Sequence, residues 1–103
     1  VRRAHERGYM VHLLFFWLDS VELAKRRVAK RVALGGHNIP LPVIERRYKA
    51  GIKNLLEIFM DEVDIWSLYD NTRGDATLVA FGGMKIRMRI KDNVKFEKFK
   101  DYE

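Results

Sequence analysis

The 103 residues contain no cysteine. That absence excludes a disulfide scaffold and any structural zinc site built on thiolates, and it fits a reducing, cytoplasmic setting. Proline is scarce: Pro40 and Pro42 are the only two, and both fall in one short stretch. No apolar run is long enough for a bilayer. The longest, YMVHLLFFWL, covers residues 9–18, about half of the ~20 residues a spanning helix needs, and it includes His12. It follows a basic, helix-like stretch and precedes no small-residue cleavage site, so neither a signal peptide nor a membrane partner is expected. Acidic residues are few in the first half. Residues 1–53 carry 12 of the 20 Lys and Arg but only 4 of the 14 Asp and Glu, a local charge of +8 against −2 for the remainder. A basic half suits an anionic partner such as a nucleotide, a nucleic acid or a phosphorylated metabolite, or it is simply a solvated helix surface. With 48% hydrophobic and 33% charged residues the chain is not of disordered composition, and its length suits one small domain with one core.

The pattern along the chain predicts an α/β order. VRRAHERG reads as the end of a helix closed by Gly8. YMVHLLFFWL is continuously apolar rather than alternating, which predicts a strand covered on both faces, as in a parallel sheet. DSVE offers Asp19 as N-cap with Glu22 three residues on, a variant of the capping box. The helix it opens should run to about Leu34, with Val21, Ala24, Val28 and Val32 as its apolar stripe, and end at Gly35 and Gly36. A second helix is predicted from near Pro42 to near Glu62, burying Ile44, Tyr48, Ile52, Leu55 and Phe59. DIWSLYDN is a second strand, with Asp70 and Asn71 at its carboxyl end. TLVAF and the alternating KIRMRI flank GGM, which suggests a C-terminal hairpin with a tight turn. VKFEKFKDYE reads as a short last helix or a frayed end. Two parallel strands joined by a helical crossover make one α/β unit, with too few strands for a complete doubly wound domain.

The joint RVALGGHNIPLPVIERRY raises the functional question. Arg27 and Arg31 share one helix face, and Arg46 and Arg47 stand in the first turns of the next helix. If the helices meet at the joint, these guanidiniums can converge, and guanidiniums bind phosphate oxygens in pairs without losing charge. The glycine pair would let the backbone hinge. His37 is placed to donate to a phosphate or to cap the preceding helix. Asn71 sits where parallel sheets present ligands, able to read a base edge or to serve as an ordinary turn residue. His12 reads as a core histidine and His5 as a surface one. Trp17, Trp66, Met84 and Met88 read as packing residues. The histidines show no i, i+4 pair, so no metal site is expected.

The run LLFFWLDSVELAKRRVAKRVALGGHNIPLPVIERRYKAGIKNL followed by YDN resembles the carboxyl-terminal half of the zeta-toxin family of P-loop kinases, and within it the short bacterial ATPase-like branch. The motif R-V-x-x-G-G-H-x-I-P-x-x-V-I-x-R-R-Y is matched from Arg31 to Tyr48, and the resemblance covers roughly residues 1 to 72. It implies a partial P-loop NTPase-like sheet, with residues of about 31–48 as a lid. It also implies Arg31, Arg46 and Arg47 as catalytic phosphate contacts, with Arg27, Gly35, Gly36, His37 and Asn71 as further nucleotide-binding positions. ATP and Mg2+ would be the cofactors, a small metabolite such as a nucleotide-sugar the phosphate acceptor, and an antitoxin protein a partner. Phosphoryl transfer suits such a set, because it needs positioned positive charge more than covalent catalysis.

The string G-x-x-x-x-G-K-[ST] that cradles phosphates in a P-loop kinase occurs nowhere in the chain. GGMKIR has the wrong spacing and GGHN lacks the lysine. The Mg2+ ligands and the P-loop of such a kinase would then lie outside these residues, and the expectation is a fragment of an enzyme, inactive alone, or a degenerate remnant. Two other readings stand beside it. One is a non-catalytic interaction module that self-associates through an open sheet edge. The other is a nucleic-acid-binding module, disfavoured because the aromatics fall on predicted buried elements and not among the exposed Arg and Lys.

Overall fold

Phe99, Leu68, Val63 and Val79 are completely buried, and they come from a helix, a strand, a strand entry and a second strand. Around them a computed structural model, which describes residues 1–102, arranges ten short elements. In chain order these are α1 (Arg2–Glu6), β1 (His12–Trp17), α2 (Val21–Ala33), α3 (Leu41–Asn54), a π-helical turn (Leu55–Phe59), α4 (Met60–Glu62), β2 (Ile65–Asp70), β3 (Thr77–Gly82), β4 (Arg89–Ile90) and α5 (Asn93–Lys100). The strands form one mixed sheet in the order β1-β2-β3-β4. β1 and β2 are parallel, with His12 opposite Ile65 and Trp17 opposite Asp70, and the helices between them are the crossover. β3 and β4 add antiparallel. The mixed α/β class and the parallel pair agree with the sequence pattern.

The sheet buries one face much more than the other. Trp17, Trp66 and Leu68 join Ile52 and Leu55 of the α3 segment and Phe96 and Phe99 of α5 in one cluster. Phe99 meets the rings of Phe15 and Trp17 edge-on, at 5.6 and 5.7 Å between centroids. Along β1 the side chains alternate: Leu13 and Phe15 are half-buried and Trp17 buried, whereas His12, Leu14 and Phe16 are exposed. The expectation of a strand covered on both faces is therefore corrected. β1 is an edge strand, and the helices pack on the Leu13–Phe15–Trp17 side. His12 is correspondingly not a core histidine; it lies on the open face and bonds the Ser67 hydroxyl at 3.1 Å. His5 is half-buried, not free on the surface, and holds Asp64 at 2.7 Å.

Local rules account for most ends. Gly8 takes φ +80° after α1. Ser20, not Asp19, caps α2, its hydroxyl accepting from the Leu23 amide at 3.2 Å. Asp19 is instead drawn into the end of the sheet, where its amide donates to Thr72 Oγ1 at 3.1 Å. The α3 segment buries Ile44, Ile52 and Leu55, as its pattern predicts. The C-terminal hairpin exists but is not tight. Residues 83–88 separate the strands, and of KIRMRI only Arg89 and Ile90 pair. The Gly82–Gly83 pair serves packing. A Cβ on Gly82 would stand 3.0 Å from the Trp66 ring, and one on Gly83 would be 1.9 Å from the Asp64 carbonyl. Met84 and Met88 are exposed rather than packed.

α5 is a formed helix, capped by Asp92, whose carboxylate accepts from the Lys95 amide at 3.0 Å. Just past β4 the Val79 carbonyl accepts from the amides of Lys91 and Asp92, at 2.7 and 3.1 Å, and α5 starts from there. The residues beyond Arg73, which the zeta-toxin resemblance does not cover, thus complete the core.

Candidate functional site

α2 and the first turns of α3 form an arm at the carboxyl end of the parallel pair. α2 begins four residues after β1 ends and buries no residue fully. α3 returns past the sheet. The radius of gyration, 15.0 Å, exceeds the ~13 Å of a compact chain of about 100 residues, in keeping with a projecting element.

Three contacts fix the base of the arm. The Tyr48 hydroxyl donates to the Leu18 carbonyl, just past β1, at 2.6 Å. Burial raises the Tyr48 phenol above its usual range, and it stays a neutral donor. Arg27 Nη2 donates to the carbonyls of Asn71 and Thr72, each at 2.8 Å, and so ties α2 to the loop after β2. Lys25 of α2 pairs with Glu45 of α3. The hydrogen bond from Lys25 holds the Glu45 carboxyl below its ordinary value, and the same contact raises the Lys25 ammonium.

The tip is built differently. The Gly36 amide donates to the Arg31 carbonyl at 2.8 Å and the Gly35 amide to the Val32 carbonyl at 3.0 Å, the paired bonds of a Schellman helix end. Gly35 takes φ +97°, and a Cβ on Gly36 would meet the Arg31 carbonyl at 2.9 Å. Both glycines are thus needed to end α2, and their amides are already used. His37 and Arg31 line one cleft of about 300 Å³ with Val28, Gly36 and Ile39.

The positions singled out in the sequence therefore divide. Arg31, Arg46 and Arg47 are exposed, and none is in an ion pair among the described residues. Arg31 stands beside His37, while Arg47 lines a separate cleft with Phe15, Phe16 and Gly51. Arg27 is occupied by carbonyls. The backbone N–H of Asn71 donates to the Trp17 carbonyl at 2.7 Å, binding the ends of the parallel strands. No family model, curated protein or solved structure matches this chain.

Beside the arm lies a polar cleft of about 340 Å³, lined by Asp19, Asp70, Thr72, Arg73, Asp75, Thr77 and Lys95. The Asp70 side chain is only 11% exposed and lies 3.0 Å from Lys95. Burial pushes its carboxyl up, but bonds from the Thr72 hydroxyl, Lys95 and the Thr72 amide outweigh it, and the net shift is down. Lys98 stands 3.8 Å from Asp19. Both lysines belong to α5. The sequence reading missed them, although their i, i+3 spacing put them on one helix face. With Asp19 and Asp70 facing lysines, no group of three or more acidic or histidine side chains is placed to hold a metal among the described residues. These residues do not by themselves fit Mg2+. No helix among them is long and apolar enough to cross a membrane.

Proposed function

We propose that this chain is the lid-bearing part of a P-loop kinase of zeta-toxin type, which moves a phosphoryl group from ATP to a small metabolite, a nucleotide-sugar being one acceptor class. The reading is carried by one observation: an arm rooted at the carboxyl end of a parallel strand pair presents Arg31, Arg46 and Arg47 to solvent, with no carboxylate paired to them among the described residues. Ligands of open α/β sheets bind outside the carboxyl ends of the strands, and guanidiniums there meet phosphates. The P-loop and the Mg2+ ligands would come from polypeptide that these residues do not contain, and an antitoxin that covers the nucleotide cleft is the protein partner this reading implies.

In this arrangement Arg31 at the tip and Arg46 and Arg47 on α3 close on the phosphates together, while Arg27 stays a positioning residue that seats α2. The test is an ATP titration followed through arginine side-chain NMR signals. Those of Arg31, Arg46 and Arg47 should shift at millimolar nucleotide and recover as salt screens the charges. Arg2 and Arg87 are the controls. Equal shifts at the controls, or none at the three, would overturn the reading. In a polypeptide that also carries a P-loop, Arg→Ala at a true contact should lower phosphoryl transfer by about two to three orders of magnitude.

A further inference from the structure

Trp17 is only 2% exposed, yet its indole Nε1–H meets no hydrogen-bond acceptor among the described residues. Phe99 lies edge-on to the ring at 5.7 Å and fixes its orientation. The polar groups around it are already engaged. The Tyr48 hydroxyl, beside the indole, gives its proton to the Leu18 carbonyl and does not meet Nε1 in bonding geometry. The Ser20 hydroxyl caps α2, and the Asp19 carboxylate stands 3.8 Å from Lys98. Buried donors are almost always paired, because one left unpaired costs its full desolvation.

The indole borders a cleft of about 280 Å³ between α5 and the helical crossover, at the carboxyl end of β1. Nε1 faces this cleft and not the neighbouring one beside Arg47. The Tyr48 hydroxyl feels both the indole and the Asp19 carboxylate, and Asp19 lines only the first of the two clefts. The walls are apolar and flat: Ile52 and Val21, with the rings of Tyr48 and Tyr102. At the rim, Lys49 and Lys98 are balanced by Asp19 and Asp101.

We infer that this cleft binds a neutral, planar, single-ring molecule with a carbonyl acceptor, of the aromatic amide class, and that Trp17 Nε1–H donates to that carbonyl. Each property of the ligand answers a property of the wall. The unpaired donor calls for an acceptor. The tyrosine rings, Ile52 and Val21 call for a flat apolar body, and the volume suits one ring, since small-molecule pockets begin at roughly 300 Å³. The balanced rim calls for no net charge, because an ion brought in here would need a partner of its own. A single water, with its share of ~30 Å³, would fill little of this space and wants about two to four polar partners. The inference does not rest on the kinase reading: none of Arg31, Arg46 and Arg47 lines the cleft, and no phosphate enters it.

Benzamide is the probe, titrated into the 103-residue chain and followed through the two indole N–H signals by NMR. The Trp17 signal should shift and saturate at millimolar benzamide. The Trp66 signal should stay in place, because Trp66 is buried away from the cleft. Benzylamine keeps the ring but replaces the acceptor with an ammonium, and benzoate adds a charge. Both should bind at least about 10-fold more weakly. Trp17→Phe keeps an aromatic ring, removes the donor, and should weaken benzamide by about 10-fold. Val21→Phe narrows the cleft from a half-buried position, so it should keep the fold and abolish the saturable shift. The inference is overturned if no saturable shift appears, if both indoles shift equally, or if benzylamine binds as tightly as benzamide. Undiminished benzamide binding by a Val21→Phe chain with native circular dichroism overturns it as well.

Discussion

The body and the arm of this molecule are built on different principles. In the body, the sheet, the last turns of α3 with the π-helical turn, and α5 share one apolar cluster, and Phe99, Leu68 and Val79 see no solvent. In the arm, α2 buries nothing fully and is held by a cap, a helix end and a few polar contacts. The lesson is that charge and turn chemistry can set the shape of a segment without making it stable. An element retained by polar contacts at its base and glycines at its tip is suited to carry side chains toward a ligand, since little packing is lost when it shifts.

The largest test of this contrast is in the core. Phe99→Ala should cost about 3–5 kcal/mol in urea unfolding, whereas Val28→Ala in the arm should cost under about 1 kcal/mol. Equal costs would mean that the arm is packed after all. Next is the acid limb of stability. The Asp70 carboxyl lies below its ordinary value of 3.8 in the folded chain, so its contribution is present above that value and lost as pH falls through the lower folded one. Thr72→Val should remove about 1–2 kcal/mol at neutral pH and make the decline in thermal midpoint below pH 4 shallower.

At the tip, Gly35→Ala forces a Cβ into φ +97° and should cost about 1–2 kcal/mol. The effect should appear as faster amide exchange in α2 while β2 and β3 stay protected. Spread of the loss into the strands would show that arm and body fold as one unit. Arg27→Met, which removes two bonds to carbonyls, should loosen the same amides by about 1 kcal/mol without changing the sheet. The smallest effect belongs to Lys25→Ala. Its ion pair with Glu45 joins α2 to α3, and its loss should shift the urea midpoint the least of these changes, the difference vanishing as salt rises.

Sequence by itself determined a good deal, wherever the cause is local. The helix end at Gly35 and Gly36, the start of α3 beside Pro42, the buried positions Ile44, Ile52 and Leu55, and the pairing of YMVHLLFFWL with DIWSLYD follow from glycine conformations, proline stereochemistry and apolar spacing. The exposed Arg31, Arg46 and Arg47 were legible as well, because a charged helix face seldom has anywhere else to go. Tertiary structure alone decided the rest. An apolar run cannot reveal whether both of its faces are covered, and the one-sided packing of β1 appeared only once α3 and α5 were placed. Asp19 reads as the cap of α2 in the sequence, but Ser20 holds that place and the Asp19 amide is bonded to Thr72, far along the chain. Arg27 could not be told from its neighbours on α2, since the Asn71 and Thr72 carbonyls that hold it belong to a loop more than 40 residues away. Lys95, Lys98 and Phe99 likewise gained their roles by crossing to the ends of β1 and β2. The physical reason is common to all of these: turn and cap energies depend on a few neighbouring residues, whereas burial and charge pairing depend on which distant segment arrives.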